Sequence, residues 1–404
     1  MSTGILNERA PRLDRLQLAA LAGLMLLGMA FIYSARLGTE SAAAGPWYGQ
    51  NWFRQFVWYI VGAGAGAAAC VADYRILARW AMVLYWASML PLAAVLLPGI
   101  GTTHGWGAMR WIDLGVFQFQ PSEFAKLAFI LAEAHFLSRP ADELRLPSIF
   151  FKSLALLAVP FVLIMKEPDL GSALVLLPTA FLMMYVAGMP RPYLTRLLAA
   201  MAILGALFLV DVLFAPANWQ IKLQDYQKRR LMVYFGRDYP APAGASKVER
   251  ERLRKLQFDD SHSVRQALIS VGSGGLTGKG WQRGTQKALG YLPPTVAQTD
   301  FIFSVLAEEE GFAGSVVVLT LYGVILFTGI RVSGQARDRL GKLLAAGVVA
   351  LLFSQVFINI GMNIRMMPVT GVPLPLLSYG GSSALGTLIA MGWLQSVHLY
   401  RKAY

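Results

Sequence analysis

The sequence predicts an all-α polytopic membrane protein of about ten transmembrane helices, with one large extracytoplasmic loop between helices 7 and 8. Of its 404 residues, 56% are hydrophobic and 15% are charged, whereas soluble domains carry about 25% charged residues. The mean hydropathy is positive. A helix needs about 20 mostly apolar residues to cross a bilayer core of about 30 Å. The predicted spans are residues 17–35, 52–72, 76–99, 122–138, 148–165, 171–188, 194–214, 302–330, 341–363 and 377–399.

The ends of these stretches carry signals for helix boundaries. The first has no small-residue cleavage site behind it and is too long for a signal-peptide core, so we expect a retained helix. Pro121 suits the start of the fourth. The seventh leads into the large loop, residues 215–301, and three prolines within residues 368–375 interrupt the chain before the tenth. We predict a single membrane domain over residues 1–404.

Lysines and arginines in the short connections predict the orientation. With the N-terminus inside, sixteen of them lie in cytoplasmic segments and five in the opposite short segments, so we expect both termini in the cytoplasm. The cytoplasmic set is Arg9, Arg12, Arg15, Arg75, Arg79, Arg139, Arg145, Lys152, Arg191, Arg196, Arg331, Arg337, Arg339, Lys342, Arg401 and Lys402, and the opposite set is Arg36, Arg54, Arg110, Lys166 and Arg365.

The large loop holds fourteen further cations and, by the same count, lies outside, because long loops are translocated regardless of charge. The run at residues 228–230 predicts attraction to anionic lipid or a pyrophosphate. The run at 247–255 mixes both signs, so a solvated helix is the simpler interpretation. The cations that predict the orientation and those in the large loop together account for the net charge of +13, so we expect no nucleic-acid partner.

Two polar clusters interrupt the apolar stretches, and polar groups inside a membrane must face a cavity or each other. Glu123 and Lys126 share one face of the fourth helix and can neutralise one another. The pair predicts either a charged cavity wall or a contact between helices. The turn after the fifth helix holds Lys166, Glu167 and Asp169, three ionisable groups that need water or a polar cleft.

The glycine-rich stretch 273–280 looks superficially like a nucleotide-binding loop. Its spacing does not meet the pattern G-x-x-x-x-G-K-[ST], since Gly280 follows Lys279. We expect a sharp re-entrant turn with backbone N–H groups open to an anion. The glutamates at 308–310 lie eight to ten residues beyond Asp300, roughly 12 to 15 Å along a helix, so we expect them to pack between helices.

Asp300 stands where the long polar loop returns to an apolar helix. Aspartate is a preferred N-cap residue, so a structural cap is one interpretation. An acid at a membrane interface is costly and usually functional, so a catalytic role is the other. The N-terminal end of a helix would stabilise its ionised form in either case.

Several motifs occur in one order along most of the chain. They are Gln120-Pro121-Ser122-Glu123 with Lys126, Glu167-Pro168-Asp169-Leu170-Gly171, Gly272-Ser273-Gly274-Gly275-Leu276 with Gly278-Lys279-Gly280, Gly284-Thr285-Gln286, Thr299-Asp300-Phe301-Ile302-Phe303, and Pro368-Val369-Thr370-Gly371-Val372-Pro373-Leu374-Pro375 with Ser378-Tyr379-Gly380-Gly381-Ser382-Ser383. In this combination the chain resembles the SEDS family of peptidoglycan polymerases. The Gly-Thr-Gln triplet and a short N-terminal tail resemble its RodA branch, which serves cell elongation, more than its FtsW division branch.

The resemblance implies a glycosyltransferase that polymerises lipid II at the outer face of the bacterial cytoplasmic membrane, with Asp300 as the catalytic acid of the Thr-Asp-Phe-Ile-Phe motif. An inverting transfer needs a base for the acceptor hydroxyl and positive charge for the leaving diphosphate. Asp300 would be the base. A divalent cation, Mg²⁺ or Mn²⁺, could share the charge, although no ligand spacing is recognisable. Candidate cations for the diphosphate are Arg110, Arg265, Lys279 and Lys126, the last favoured together with Glu123, and the other predicted substrate contacts are Glu167, Asp169, Ser378 and Tyr379.

The sequence departs from the RodA pattern just before Asp300. That pattern reads Leu-Pro-Glu and two further residues, often ending in His, whereas here Leu292-Pro293 is followed by residues 294–298, which read Pro-Thr-Val-Ala-Gln. The loop is two residues longer and its glutamate is missing, so no role of that glutamate carries over.

The resemblance also implies partners: lipid II, the growing glycan strand, a class B penicillin-binding transpeptidase and other elongation-complex membrane proteins. The small residues Gly62, Gly64 and Gly66 could receive a partner helix or serve internal packing. Three alternatives stay open, namely a lipid II flippase, the FtsW-type division polymerase and an inactive scaffold. A flippase would tolerate Asp300→Asn better than a base-catalysed polymerase.

Overall fold

The computed structural model describes residues 13–36, 46–97, 99, 101–102, 110–115, 117–214, 225–237, 239 and 246–401. Arg9, Arg12 and Lys402 of the predicted cytoplasmic set, and residues 215–224 of the predicted loop, lie outside this described part. The helices are α1 (Arg15–Arg36), α2 (Asn51–Val71), α3 (Tyr74–Arg79), α4 (Ala81–Ala94), α5 (Pro121–Leu137), α6 (Pro147–Lys166), α7 (Leu170–Ala187), α8 (Arg191–Phe214), α9 (Asp225–Phe235), α10 (Lys247–Ser273), α11 (Thr285–Ala288), α12 (Pro294–Ala297), α13 (Ile302–Gln335), α14 (Arg339–Asn363) and α15 (Gly381–Tyr400).

The described chain is a mostly helical membrane protein. Six of its helices are long and apolar enough to cross a bilayer, namely α1, α6, α7, α8, α13 and α14. Each overlaps one of the predicted spans. Helix α10 contains the mixed-charge run at 247–255 and exposes Lys255 among other charged side chains, which fits the interpretation of a solvated helix.

Two predicted spans have different boundaries in the structure. The predicted helix 76–99 is divided into α3 and α4 at Trp80, whose ψ of 4° leaves the helical range. Helix α15 begins at Gly381 rather than at 377, because the N–H groups of Leu377 and Ser378 both donate to the carbonyl of Leu374 in a turn. The prolines at 368–375 therefore leave an irregular segment between α14 and α15, as predicted.

Helices α5 and α14 form the centre of the bundle. Most of their side chains are buried, and α5 packs against α4, α6, α7, α14 and α15. Helix α8 lies at the edge, contacts α7 and leaves most of its surface exposed. The charged residues of α5 are thus enclosed by protein, which is where intramembrane charges are tolerated.

Glycines allow α2 and α15 to approach closely. A Cβ atom on Gly66 would lie 2.6 Å from the carbonyl oxygen of Leu388, and one on Gly392 would lie 2.2 Å from that of Gly66. Gly62 also faces Leu388, whereas nothing lies within 4 Å of a Cβ on Gly64. Gly62 and Gly66 therefore serve internal packing, one of the two roles expected from sequence.

A small antiparallel sheet precedes α5. Strand β2 (Trp111–Asp113) lies between β1 (Gly101–Thr102) and β3 (Gln118–Phe119), and Ile112 pairs with both Gly101 and Phe119. The sheet sets Arg110, directly before β2, beside the ends of the helices that form the site.

Candidate active site

A cavity of about 660 Å³ opens at the end of the bundle where α13 and α15 begin and α14 ends. This end is called the site end below. The volume lies within the range of small-molecule sites. The cavity is lined by the region around the sheet, by α9 and α10, by the segment before α13 and by the segment between α14 and α15, with Arg110, Gln120, Arg230, Asp300 and Tyr379 among its polar residues.

Asp300 reaches the cavity because the residues before it form an extra helical turn. Pro294–Ala297 are helical (α12), and the N–H groups of Asp300 and Phe301 both donate to the carbonyl of Val296, at 3.0 and 3.1 Å. The residues that depart from the RodA pattern thus form a short helix that leads directly into Thr299 and Asp300. The Asp300 side chain remains only half-buried.

The N-cap interpretation of Asp300 does not describe the geometry. The residue at the N-cap of α13 is Phe301, and no side chain of its own caps the helix. Instead Asn363, from α14, accepts hydrogen bonds from the N–H of Ser304 at 3.1 Å and from its hydroxyl at 2.6 Å. A side chain from another helix therefore satisfies an orphan donor of α13, and the carboxylate is left facing the cavity.

Two buried asparagines hold the backbone of Asp300. The side-chain amides of Asn359 and Asn363 donate to the Asp300 carbonyl at 3.2 and 3.0 Å. Asn359 also donates to the carbonyl of Val372 at 2.8 Å, which ties in the proline-rich segment. Both amides are fully enclosed, so α14 provides one anchor for the backbone of Asp300.

Two guanidinium groups flank the Asp300 carboxylate around Gly371. A Cβ atom on Gly371 would lie 3.6 Å from Arg230 Nη1, 3.7 Å from Arg110 Nη1 and 3.9 Å from Asp300 Oδ2. Gly371 has a φ of +76°, a conformation that favours glycine. The residue without a side chain thus leaves open the point at which the three charged groups converge.

The protonation of Asp300 reflects this mixed environment. Burial raises the pKa of its carboxyl group, the cations Arg230 and Arg110 oppose the rise, and the charge of Asp169 adds to it. A carboxylate with a raised pKa is a stronger base than an exposed one. The setting therefore suits proton abstraction.

The turn between α6 and α7 supports Arg110. Arg110 donates to the carbonyl of Pro168 and lies 3.7 Å from Asp169, measured from Nη1 to Oδ1. Asp169 also caps α7 by accepting from the N–H of Ser172 at 3.2 Å. Glu167 is fully buried, and burial, with the charge of Asp169, raises its pKa to about 9 against the opposing effect of Arg110. Glu167 is therefore a neutral acid at pH 7.

Two residues just before α15, Ser378 and Tyr379, hold the loop before Asp300. Ser378 donates through its hydroxyl to the carbonyl of Thr299 at 2.5 Å, and the Tyr379 N–H donates to the carbonyl of Gln298 at 2.8 Å. The Tyr379 side chain lines the cavity, and burial raises the pKa of its phenol while Arg54 opposes the rise. Ser378 thus contacts the backbone next to Asp300, and Tyr379 lines the cavity.

Glu123 and Lys126 pair inside the protein. Lys126 Nζ donates to Glu123 Oε1 at 2.7 Å, and both side chains are buried. Gln120 lines the cavity, but Lys126 lies six residues further along, about 9 Å at 1.5 Å per residue. Neither Glu123 nor Lys126 lines the cavity, so this pair is buried within α5 and is not part of the cavity wall.

Arg265 and Lys279, the other predicted diphosphate cations, also lie off the cavity lining. Arg265 is exposed on α10. Lys279 pairs with Glu308, from Nζ to Oε1 at 2.6 Å, and donates to the hydroxyls of Ser273 and Thr285. Its charge is therefore engaged within the loop.

Arg230 is a cavity-lining cation that the sequence did not single out. It belonged to the basic run 228–230, for which a pyrophosphate was one of two predicted ligands, but the run itself does not tell which member faces inward. In the structure Arg230 Nη1 donates to the carbonyl of Val369 at 3.3 Å, which aims the guanidinium at the cavity. Among the residues that the structure describes, no group of three His, Cys, Asp or Glu side chains is arranged to hold a metal ion.

The sequence profile of the FtsW/RodA/SpoVE family of cell cycle proteins matches residues 14–403. This chain is a member of the FtsW/RodA/SpoVE family. Within that family it is 36% identical over 330 residues to the peptidoglycan glycosyltransferase MrdB of Escherichia coli K12, covering 81% of this chain and 80% of MrdB.

Two solved structures resemble this FtsW/RodA/SpoVE protein closely. One is a chain from a structure described as structural coordination of polymerization and crosslinking by a peptidoglycan synthase complex, with a TM-score of 0.73, 29% identity and coverage of 97% of this chain and 99% of that one. The other is the rod shape determining protein RodA of Thermus thermophilus, with a TM-score of 0.63, 29% identity and coverage of 97% and 98%. The resemblance to the SEDS family inferred from sequence is confirmed.

Proposed function

We propose that this protein is a peptidoglycan glycosyltransferase that polymerises lipid II into glycan strands, with Asp300 as general base. The observation that carries the proposal is the convergence of Asp300, Arg110 and Arg230 around Gly371 in the cavity of a family member. One base beside two cations is what displacement of a sugar diphosphate by a sugar hydroxyl requires.

The proposed step is a single inverting displacement. The Asp300 carboxylate takes the proton of the acceptor 4-hydroxyl, whose oxygen forms a bond to the anomeric carbon of the donor sugar. The bond between that carbon and the phosphate oxygen breaks, and the electron pair leaves with undecaprenyl diphosphate. The raised pKa of Asp300 favours the proton transfer.

Arg110 and Arg230 would stabilise the negative charge that grows on the leaving diphosphate. Guanidinium groups suit phosphate oxygens because their donors are planar and paired. Arg110 is oriented by Pro168 and Asp169, and Arg230 by Val369, so little reorganisation is needed as the charge develops. This assigns to Arg230 the role for which the sequence favoured Lys126.

We place the site end at the outer face of the cytoplasmic membrane, with ten spans and both termini in the cytoplasm. The ten spans would be α1, α2, the pair α3 and α4, α5, α6, α7, α8, α13, α14 and α15. The large loop would then hold α9 to α12 outside. This arrangement follows the lysine and arginine count and gives the cavity access to lipid II after its transfer across the membrane.

The relatives also suggest the process and a partner. A rod shape determining protein with the same fold favours cell elongation over the division role of the FtsW branch. A related chain occurs in a peptidoglycan synthase complex that couples polymerization and crosslinking. We therefore propose a class B transpeptidase as the partner of this chain.

The test is glycan polymerisation from purified lipid II, resolved on a gel, with the wild-type protein and its Asp300→Asn variant, each with and without a cognate transpeptidase. We expect polymer from the wild type and a loss of at least about 100-fold in Asp300→Asn, because general-base catalysis contributes about 10²–10⁴-fold. Asp142→Asn is the matched control, since Asp142 is exposed and absent from the cavity lining.

Equal polymerisation by wild type and Asp300→Asn would refute the assignment of Asp300. A different result would be that neither protein makes polymer with the partner present, while fluorescent lipid II moves across the bilayer of vesicles that contain the protein. The flippase alternative would then replace the enzyme. If the protein does neither, it is the inactive scaffold.

A further inference from the structure

We infer that the loop of residues 274–287, called the splice loop, is a positioning element for Asp300, with Lys279 and Glu308 as its principal positioning residues. The inference rests on the proposed function, because it gives the loop a role in placing the catalytic base. It concerns the glycine-rich motif and the glutamates at 308–310, neither of which contributes a side chain to the cavity lining.

Helix α13 is interrupted at Gly311, and the splice loop supplies new partners for the backbone groups that lose their helical hydrogen bonds there. In a regular α-helix the N–H groups of Phe312 and Ala313 would donate to the carbonyls of residues 308 and 309. Here they donate to the carbonyls of Gly275 and Leu276, at 2.9 and 3.0 Å. Two donors of α13 are therefore satisfied by the loop.

The exchange is reciprocal. The carbonyls of Glu308 and Glu309, which have lost their helical partners, accept from the N–H groups of Lys279 and Gly280 at 3.0 and 2.8 Å. Buried backbone groups left without partners are costly. The four hydrogen bonds together make the break stable only while the loop is seated in it.

The backbone at the break admits only glycine. Gly311 has φ 65° and ψ −157°, a region that is essentially restricted to glycine. A Cβ atom there would lie 2.3 Å from the nitrogen of Gly278, and a Cβ on Gly278 would lie 2.0 Å from the carbonyl oxygen of Glu309. The two backbones are thus in direct contact.

Glu308 locks the loop through its side chain. Its Oε1 accepts from Lys279 Nζ at 2.6 Å, from the Thr285 N–H at 2.8 Å and hydroxyl at 2.9 Å, and from the Gln286 N–H at 3.2 Å. The Glu308 side chain is buried. The expectation that these glutamates pack between helices is thereby refined, because Glu308 binds a loop.

Glu309 links the same loop to α1. Lys287 forms an ion pair with Glu309 and donates to the carbonyl of Ser34 at 2.8 Å. The Ser34 hydroxyl donates to both Glu309 oxygens, at 2.8 and 2.7 Å, and the Gln282 N–H donates to Oε2 at 3.0 Å. Lys287, the Ser34 hydroxyl and the Gln282 N–H all offer hydrogens to the Glu309 carboxylate, as an enclosed carboxylate requires.

Residues 302–310 of α13 are therefore held at both ends. At one end Asn363 binds Ser304 and the Asp300 carbonyl, and at the other the splice loop replaces the continuation of the helix. Asp300 lies two residues before this short segment. If the loop leaves the break, the segment loses its second anchor, and a base displaced by about 1 Å can lose about 100-fold in rate.

The experiment compares the full chain in lipid nanodiscs as wild type, Lys279→Met and Lys279→Arg. Hydrogen exchange over residues 301–313 is measured by mass spectrometry together with kcat and KM for lipid II. Met removes the charge and keeps the length, whereas Arg can still donate to Glu308. Lys255→Met is the matched control, because Lys255 is an exposed cation on the neighbouring α10.

For Lys279→Met we expect faster exchange over residues 301–313 and a fall in kcat of about tenfold or more, with KM changed by less than about twofold, and recovery of both in Lys279→Arg. A raised KM with wild-type exchange would overturn the inference and show that Lys279 binds the diphosphate. Unchanged exchange and kcat would overturn it as well. A wild type that makes no polymer would instead count against the proposed function, while its exchange pattern would still report on the contact between the splice loop and α13.

Gly311→Ala gives a second route to the same question if Lys279→Met does not fold. Its Cβ atom clashes with the loop backbone, so we expect the loop to leave, exchange at residues 275–280 to rise and kcat to fall. Wild-type exchange and turnover in Gly311→Ala would overturn the inference.

Discussion

At the scale of single residues, the site depends on how neighbouring charges set the protonation of Asp300. Asp169 raises the pKa of Asp300 and also pairs with Arg110, one of the two cations that lower it. Glu167, two residues before Asp169, has a pKa raised to about 9 by burial. The two acids of this turn therefore differ in their effect on Asp300, because the charge of Asp169 raises the pKa of Asp300 whereas Glu167 is neutral at pH 7.

This difference predicts the pH dependence of turnover. Activity should rise with pH as Asp300 loses its proton, with a midpoint above about pH 4, the ordinary range of aspartate. Asp169→Asn removes a negative neighbour and frees Arg110, and both changes lower the pKa of Asp300, so the acid limb of kcat/KM should move to lower pH. Asparagine still caps α7.

Glu167→Gln is the matched comparison, because it replaces a neutral acid by a neutral amide of the same shape. Its acid limb should stay at the wild-type pH. A shift of the Asp169→Asn limb to higher pH, or equal shifts in both variants, would contradict the electrostatic account of Asp300.

At the scale of elements, the site is assembled from ends and interruptions of helices. The irregular segment between α14 and α15 lines the cavity, and the turn before α7 holds Arg110. The interruption of α13 at Gly311 receives the loop of residues 274–287. Irregular backbone at such depth is tolerated where it is enclosed by protein or lines a cavity. The regular parts of α2 and α15 form the frame that keeps these ends in place.

The contact between α2 and α15 predicts a local stability effect. Gly66→Ala brings a methyl group to 2.6 Å from the carbonyl of Leu388, and such overpacking costs about 1–3 kcal/mol. Gly64→Ala adds the same methyl group to open space on the same helix. Thermal unfolding in one detergent should show a lower Tm for Gly66→Ala only, and equal Tm values for the two variants would argue against close helix packing at Gly66.

At the scale of the whole molecule, the orientation of the helix bundle decides which side of the membrane the cavity faces. The cavity is at the end where α13 begins, and the exposed loop with Asp142 lies between α5 and α6. The proposed orientation puts the cavity outside and Asp142 in the cytoplasm.

Cysteine labelling in intact cells tests this orientation, because Cys70 is the single cysteine and is buried. With Cys70→Ala as background, Val248→Cys on exposed α10 should react with a membrane-impermeant maleimide in intact cells. Asp142→Cys should react only after the membrane is permeabilised. The reverse pattern would place the cavity in the cytoplasm and exclude lipid II polymerisation at the outer face.

The sequence by itself determined the class of protein, the approximate positions of the six long apolar helices and the motif that carries Asp300. Each follows from composition, from the length of apolar stretches or from residues adjacent in the chain. It also identified Arg110, Tyr379 and the basic run that contains Arg230 as candidates.

Only the tertiary structure decided which charges face the cavity. Lys126 and Lys279 match the same chemical requirement as Arg110 and Arg230, but the first two are paired with Glu123 and Glu308 away from the cavity lining. Asn359 and Asn363 reach Asp300 from positions 59 and 63 residues away in the chain, and residues 275–280 replace the helical partners of residues 308–313. Such pairings depend on how segments that are distant in the chain pack in three dimensions. Local sequence patterns do not show which of these segments come into contact.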